Sequence, residues 1–208
     1  RVASRGLGDV YKRQILYRGH QHHILETLAE YANIPVINGL TDSFHPTQAL
    51  ADLLTIHEYV KKDIKSIKVT FVGDLRNNVA KSLAIACVKI GLNFFGLGPK
   101  QLFPEKEWMN QIKDLADVSG SHVEYHEDFN VCLDGSDVIY TDVWVSMGEE
   151  EKILERIKLL QPFQVNADLM ARTRCSQTIF MHCLPAFHDN KTEFSKRIHE
   201  EFQQNVNE

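Results

Sequence analysis

Several features that mark specialised classes of protein are missing from this sequence of 208 residues. Its four cysteines form no Cys-x-x-Cys pair, and a chain of this size can fold without disulfide bonds, so we expect reduced thiols. No apolar run approaches the roughly 20 residues that a membrane-spanning helix needs, and no signal-peptide pattern occurs at the N-terminus. These absences predict a cytoplasmic protein that binds no membrane.

Clustered positive charge is also missing. Lys and Arg number 23 against 28 Asp and Glu, which gives a net charge of −5. Nucleic-acid binding needs Lys and Arg concentrated on one face, so we expect small-molecule partners and no nucleic acid. The hydrophobic content of 43% is high enough to bury a full core, and the length suits one domain plus part of another.

The glycine pattern of dinucleotide-binding proteins is absent where it would be expected. An apolar run that ends at Gly73 and a helical pattern that begins at Asn78 have the shape of the first half of a Rossmann unit. The positions where pyrophosphate would approach the backbone carry side chains such as Leu75 and Arg76, so nucleotide binding is disfavoured and we expect no cofactor. Asn77 and Asn78 could both simply cap the helix.

A convincing set of metal ligands is missing as well. His20, His22 and His23 lie close together, but no carboxylate or cysteine accompanies them at ligand spacing. We interpret these histidines as a solvated loop or a helix start, and we expect no metal site.

Hydrophobic periodicity is what the sequence does contain, and it predicts alternating helices and strands. This alternation predicts an α/β fold with a Rossmann-like parallel sheet covered by helices on both faces, plus the tail of a second α/β domain. The predicted helices are 24–32, 46–60, 78–90, 105–118, 129–133, 149–160 and 191–202, and the predicted strands are 34–37, 67–72, 94–97, 122–125, 138–141 and 178–181, with a turn at Asn38 and Gly39.

Three short polar segments each lie at the edge of an apolar run. They are Phe-His-Pro-Thr-Gln at 44–48, Asp-Val-Trp-Val-Ser-Met-Gly at 142–148, and His-Cys-Leu-Pro-Ala-Phe-His-Asp at 182–189. Segments that end a strand or open a helix are where an α/β protein places its chemistry. We therefore expect the functional residues among these three segments.

The residue types in these segments allow more than one interpretation. His45 and Gln48 are one turn apart at a helix N-terminus and could both face a bound anion or polarised oxygen, or they could form a capping cluster with Thr47. Asp142 ends a strand and suits a counter-ion for an ammonium group. Cys183 has no recognisable base or oxyanion hole beside it, so a thiol hydrolase is not supported.

In their order along the chain and in their residues, these segments resemble the motifs of the ornithine carbamoyltransferases. Those enzymes transfer a carbamoyl group from carbamoyl phosphate to the side-chain amine of ornithine. The resemblance covers the chain from Ile15 onward. It implies catalysis by positioning and electrostatic stabilisation, with His45 and Cys183 as catalytic residues and with a homotrimer or a larger homo-oligomer as the assembly. A carbamoyltransferase for another amine, or a ligand-binding domain without activity, remain alternatives.

The resemblance also implies a role for each site residue. The His45 side chain would contact the carbamoyl carbonyl oxygen, Gln48 would orient the carbamoyl nitrogen, and the main-chain carbonyl of Leu184 would accept from the same amide. Arg18 would grip the phosphate, because its planar guanidinium pairs with two oxygens. The implied carbamoyl phosphate contacts are Arg18, His45, Pro46, Thr47, Gln48, Cys183 and Leu184, and the implied ornithine contacts are Asn78, Asp142, Ser146 and Met147.

The resemblance divides the chain into an end of a carbamoyl-phosphate domain at 15–45, a bridging helix at 46–62 and an ornithine-binding domain at 63–208. Residues 1–14 resemble a translated sequencing adaptor, and the alternative is a native basic arm. The family's Ser-Thr-Arg-Thr phosphate loop does not occur in the sequence, and its C-terminal helix is not found either. We therefore expect a fragment with little activity of its own.

Overall fold

Two parallel β-sheets organise the computed structural model, which describes residues 13–145, 153–186 and 196. In the first sheet, β1 (Ile15–Arg18) pairs with β2 (Val36–Leu40), and α1 (His22–Tyr31) connects them. The second sheet contains β3 (Lys68–Val72), β4 (Asn93–Leu97), β5 (Val123–His126), β6 (Val138–Thr141) and β7 (Ile179–His182), in the spatial order β5-β4-β3-β6-β7.

Helices cover both faces of the five-stranded sheet. They are α2 (Pro46–Tyr59), α3 (Asn78–Ile90), α4 (Lys106–Ser119), α5 (Phe129–Leu133), α6 (Ile153–Leu160) and α7 (Ala167–Ala171), with short 3₁₀ turns at Ile64–Ser66, Lys100–Leu102 and Gln161–Phe163. Side chains alternate along β3, so Phe71 packs into the core beneath α2, α3 and α4, and Val72 into the core beneath α5 and α7. The predicted α/β fold is confirmed.

The bounds of α3 follow from its two ends. The Asn77 side chain caps the helix by accepting from the backbone N–H of Ala80 at 2.6 Å, and Gly91 ends it with a φ of 92°, a left-handed conformation that glycine adopts without strain. The predicted and observed bounds, 78–90, are identical. α3 buries an apolar face beneath α2, which places its N-terminus beside the loop that opens α2.

The buried face of α2 is not the one that hydrophobicity alone would select. The helix begins at Pro46 as expected, but Leu50 and Leu54 are 65% and 58% exposed, whereas Asp52 is buried between Ala49 and Ile56. Apolar periodicity alone would place both leucines on the buried face. A carboxylic acid therefore lies inside the protein at this helix.

The predicted turn at Asn38 and Gly39 is wrong, because both residues lie inside β2. β1 passes so close that a Cβ atom on Gly39 would lie 3.0 Å from the carbonyl oxygen of Tyr17, and the register between the two strands shifts beside this point. The glycine therefore serves a close strand contact and an irregular register instead of a turn. The short helix α7 was not predicted.

The order of the strands creates a crevice at one edge of the large sheet. From the central strand β3 the chain moves outward through β4 and β5, and it then returns to the other side of β3 for β6 and β7. All neighbouring strands are parallel, so their carboxyl ends share one edge. The loops after β3 and β6 therefore diverge and leave a crevice between them. Open α/β sheets bind ligands in such a crevice. None of the described helices is long and apolar enough to cross a membrane.

Candidate active site

The Asp142 carboxylate lies at this crevice, directly after β6, and three donors fix its orientation. Its Oδ1 accepts from the backbone N–H of Val143 at 2.7 Å and from the thiol of Cys183 at 3.0 Å, and its Oδ2 accepts from the Asn77 side chain at 3.2 Å. The donors come from the loops after β3, β6 and β7. The fold therefore holds one carboxylate rigidly where three strands end.

Cys183 is a protonated thiol in this setting. Burial raises its pKa far above the ordinary value, and the negative charge and hydrogen bond of Asp142 raise it further. Only a thiolate is a strong nucleophile, so a thiol hydrolase is disfavoured on chemical grounds. The thiol instead acts as a hydrogen-bond donor to Asp142.

The two adjacent asparagines at the start of α3 have different partners. Asn77 is both the helix cap and a donor to Asp142. Asn78 instead contacts the first sheet. Its Nδ2 donates to the carbonyl oxygen of Thr41, which directly follows β2, at 2.6 Å. Asn77 thus fulfils the capping alternative, whereas Asn78 ties the two sheets together at the site.

His45 occupies the N-terminus of α2 and is held against α3. Its backbone N–H donates to Ser82 Oγ at 2.8 Å, and its Nδ1 lies 3.3 Å from Thr47 Oγ1, which itself donates to the carbonyl of Gly39 at 2.8 Å. The His45 side chain makes no capping hydrogen bond to the helix backbone. Neighbouring residues therefore position the ring, which makes no hydrogen bond to the helix backbone.

The charges around His45 show that the separated segments meet. Burial lowers the pKa of His45, the positive charge of Arg18 lowers it further, and the negative charge of Asp142 opposes both. Arg18 and Asp142 are thus close enough to act on the same imidazole. The lowered pKa keeps the ring neutral at neutral pH.

Thr41 organises the loop before His45, a role that no sequence pattern predicted. Its side chain is fully buried, and its Oγ1 accepts from the backbone N–H of Phe44 at 3.2 Å and lies 2.8 Å from His22 Nδ1. Its own N–H donates to the carbonyl of Phe44 at 2.8 Å. α1 begins at His22, which agrees with the helix-start interpretation of this histidine.

Gln48 lies one turn into α2 and donates from Nε2 to Asp52 Oδ1 at 3.0 Å. Burial raises the pKa of Asp52 to about 6, while the hydrogen bond from Gln48 and the nearby Tyr140 hydroxyl act in the opposite direction. A titratable carboxyl group therefore contacts one of the predicted site residues.

The chain after β7 adopts an unusual backbone at Leu184. Its φ is 57°, in the left-handed region that a leucine rarely adopts, and its N–H donates to His182 Nδ1 at 2.9 Å. Within the described residues, nothing donates to the Leu184 carbonyl. Strained backbone of this kind often marks a functional segment, because the surroundings must maintain it.

Asp142, His182 and Cys183 each offer one ligand atom, and these atoms lie within 4.8 Å of one another. An oxygen, a nitrogen and a sulfur donor could hold a borderline-soft ion such as Zn²⁺ more readily than Mg²⁺. Asp142 lies far in sequence from the adjacent His182 and Cys183, and the expected absence of a metal site rested on the N-terminal histidines alone.

The segment that follows Asp142 is anchored by a buried ion pair. Arg156 on α6 pairs with Asp74 at 2.6 Å, and its Nε donates to the carbonyl of Trp144 at 2.9 Å. The predicted ornithine contacts Ser146 and Met147 lie outside the described residues, only just beyond Trp144. Neither Asp74 nor Arg156 belonged to the predicted site.

Two family models match the chain. The aspartate/ornithine carbamoyltransferase Asp/Orn binding domain matches residues 65–208, and the carbamoyl-P binding domain of the same family matches residues 4–58. The chain belongs to the aspartate/ornithine carbamoyltransferase family. The second match begins inside residues 1–14 and so includes much of the segment that we interpreted as foreign, an origin that stays a prediction.

Relatives within this carbamoyltransferase family are closely similar. The chain is 48% identical over 197 residues to a catabolic ornithine carbamoyltransferase of Mycoplasma capricolum subsp. capripneumoniae, covering 94% of this chain and 62% of that protein. It is 52% identical over 172 residues to an ornithine carbamoyltransferase of Thermotoga petrophila, covering 83% and 55%. The chain thus spans little more than half the length of these curated relatives.

Solved structures of this carbamoyltransferase family support the same relationship. The ornithine carbamoyltransferase of Pyrococcus furiosus superposes with a TM-score of 0.79 at 40% identity, over 94% of this chain and 66% of that chain. The enzyme from Gloeobacter violaceus gives a TM-score of 0.74 at 35% identity, over 85% and 57%. The architecture of the two sheets is therefore that of the family.

The sequence did contain a weak signal for one residue that was missed. Ser82 is a polar residue on the face of α3 that is otherwise apolar and buried. A polar residue on a buried helix face needs a partner, so it pointed to a contact with another element. The tertiary fold was needed to show that this partner is the His45 backbone.

Proposed function

We propose that the complete protein containing this chain is an ornithine carbamoyltransferase. It transfers the carbamoyl group of carbamoyl phosphate to the δ-amine of L-ornithine and forms L-citrulline and phosphate, as part of arginine metabolism. The observation that carries this proposal is that the charges of Arg18 and of the fixed Asp142 carboxylate both act on the neutral His45 ring. A cationic group suits an anionic donor, and an anionic group suits a cationic acceptor.

On the donor side, Arg18 pairs with the phosphate oxygens and His45 donates to the carbamoyl carbonyl oxygen. Pro46 and Thr47 form the first turn of α2, whose N-terminal dipole favours the developing negative charge. Gln48 and the Leu184 carbonyl hold the carbamoyl nitrogen. A neutral imidazole still carries one ring N–H, so His45 keeps a donor for this task.

On the acceptor side, Asp142 pairs with an ammonium group of ornithine. Asn78, Ser146 and Met147 complete the contacts with the amino acid, and the Cys183 thiol keeps the carboxylate in place near the reacting amine. Tight orientation of both substrates converts an encounter between two molecules into a reaction within one complex.

The proposed step needs no group beyond the two substrates. The neutral δ-amine attacks the carbamoyl carbon, the C–N bond forms, and the electron pair of the breaking C–O bond leaves with the phosphate. The nitrogen then loses one proton. Negative charge collects on the carbonyl oxygen in the transition state, where the His45 donor and the Arg18 cation stabilise it.

We further propose that the protein is cytoplasmic and acts as a homotrimer or larger homo-oligomer. The four cysteines are free in the structure, which supports a reducing compartment. Light scattering on the complete protein tests the assembly, and a purely monomeric mass would contradict it.

An acceptor competition tests the proposed substrate. The complete protein is incubated with carbamoyl phosphate and with ornithine, aspartate or putrescine in separate reactions, and the carbamoylated products are quantified. We expect citrulline to form far faster than either other product. Faster carbamoylation of aspartate or putrescine would support the rival amine, and binding of carbamoyl phosphate without any transfer would support a binding domain without activity.

A further inference from the structure

A carboxylic acid lies in the buried face of α2, one turn beyond Gln48. Asp52 is only 4% exposed and is flanked on that face by Ala49 and Ile56. Carboxyl groups are rarely buried unless they are paired, because the charged form loses its hydration. Its Oδ1 accepts from Gln48, but its Oδ2 and the nearby Tyr140 hydroxyl are buried without a hydrogen-bond partner among the described residues. The bond to Gln48 is thus its principal polar contact there.

This hydrogen bond determines which end of the Gln48 amide is available to a ligand. Because Nε2 is taken by Asp52, the amide oxygen Oε1 is the atom left to face the site. The opposite orientation would place two oxygen acceptors against each other while Asp52 is ionised, which is unfavourable. A carbamoyl NH₂ group is a hydrogen-bond donor, and an oxygen is the partner that it needs.

We propose that Asp52 is a positioning residue for the carbamoyl donor, because it holds Nε2 of Gln48 and so presents Oε1 to the carbamoyl nitrogen. This inference rests on the proposed function, in which Gln48 contacts that nitrogen. Asp52 acts only through Gln48.

The surroundings of Asp52 make this arrangement sensitive to its protonation. The titratable groups that interact electrostatically with it are Tyr140 on β6, Cys87 on α3 and Cys183 after β7. Burial raises the pKa of all three, so each is uncharged at neutral pH. Once Asp52 itself takes up a proton, it can donate to Oε1 of Gln48, and the amide is free to turn. Mild acid should therefore undo the orientation.

Donor binding to variants of the complete protein tests this role. The dissociation constant of an unreactive phosphonate analogue of carbamoyl phosphate is measured at neutral pH. Asp52→Leu, which is similar in size and has no acceptor, should weaken binding about tenfold, in the range of one hydrogen bond to a charged group. Asp52→Asn should restore binding, because its amide oxygen can accept from Gln48. Glu58→Gln, at the exposed end of the same helix, serves as the control and should bind normally.

A double-mutant cycle separates positioning from general damage. In a Gln48→Ala background, Asp52→Leu should cost no further donor affinity, because there is no amide left to orient. Binding of ornithine in the presence of phosphate should change in neither background. An equal loss from Asp52→Leu in both backgrounds, or no loss in either, would overturn the inference.

A spectroscopic measurement tests the same contact without substrate. The side-chain amide signal of Gln48 is observed by NMR in deuterated protein labelled with ¹⁵N-glutamine and is assigned by its loss in Gln48→Ala. It should shift with a midpoint near the Asp52 pKa of about 6, and this titration should vanish in Asp52→Asn. An amide signal that does not titrate overturns the inference even if the enzyme is active. A titrating signal in a protein that binds no donor contradicts the proposed function instead.

Discussion

In the proposed function, Asp142 is the residue on which the choice of acceptor depends. The sequence predicted its place at the end of a strand, because Val138 to Thr141 form a buried run, and the structure adds the three donors that fix it. The Asn77 and Cys183 donors could not be predicted, since they come from segments far from Asp142 in sequence. The same holds for Ser82, whose hydrogen bond with the His45 backbone joins α3 to the start of α2.

Asp142→Asn should chiefly weaken the binding of ornithine. The substitution removes the negative charge opposite an ammonium group and leaves the carbamoyl phosphate contacts intact, and a desolvated charge pair of this kind contributes roughly 2–5 kcal/mol. Steady-state kinetics of the complete protein with each substrate varied in turn provide the measurement. An unchanged ornithine KM, together with unchanged affinity for an unreactive ornithine analogue, would remove Asp142 from the acceptor site.

His45→Ala should instead slow the chemical step. The carbonyl oxygen that His45 contacts gains charge only toward the transition state, and loss of one such donor typically lowers kcat by about 10²–10³. Because burial lowers the pKa of His45, the ring should stay neutral, and the wild-type enzyme active, to a lower pH than an exposed histidine would allow. A variant that loses only donor affinity and keeps its kcat would contradict this role.

At the scale of helices and strands, local signals predicted α3, α5 and β6 with the bounds that the structure gives. Each of these elements has a clear start or stop and a periodic buried face. The prediction failed where tertiary contacts decided the outcome, as at Gly39, which lies within β2 because β1 approaches it closely. Packing also decided which face of α2 is buried, since Asp52 is buried and Leu50 is exposed.

Asp52→Asn should stabilise the fold at mildly alkaline pH. The folded pKa of Asp52 is raised from 3.8 to about 6, so the native state binds the proton more tightly than the unfolded state, and stability falls as pH rises through this window. Above the window the ionised carboxyl costs about 3 kcal/mol, an order-of-magnitude figure from the shift. Such a difference corresponds to a rise in Tm of roughly 6–12 °C for a protein of this size.

Thermal melts at two pH values provide the measurement for Asp52→Asn. The gain should be large in mild alkali and should shrink toward zero below the unfolded pKa, where wild-type Asp52 is neutral in both states. Glu58→Gln, on the exposed end of α2, should show no such dependence. A loss of stability in alkali would mean that the Asp52 charge is better compensated than its surroundings indicate.

At the scale of the whole molecule, the two sheets meet along the contacts between α2 and α3, and the site lies where their strands end. The hydrogen bond from Asn78 to Thr41 and that from His45 to Ser82 join the two parts at this point. In the proposed function, most donor contacts come from the first sheet and the start of α2, and the ornithine contacts come from the second sheet. The sequence resemblance predicts this division, and the structure adds the joining contacts.

Deleting residues 1–14 should leave the thermal stability of the protein unchanged if the segment is foreign. The reason is that its sequence has no periodic apolar face to bury. Melting curves of the two chains give the comparison directly. A clear drop in Tm on deletion would show that the segment is native structure, in agreement with a family match that begins at residue 4.

The measurement that tests the central claim most directly is the stoichiometry of the complete protein's reaction. Carbamoyl phosphate labelled in its carbonyl carbon is incubated with ornithine, and labelled citrulline and free phosphate are quantified over time. Transfer at the crevice predicts one citrulline for each phosphate, with Asp142→Asn reaching the same ratio only at much higher ornithine. Phosphate release without citrulline, or normal ornithine dependence in Asp142→Asn, would contradict it.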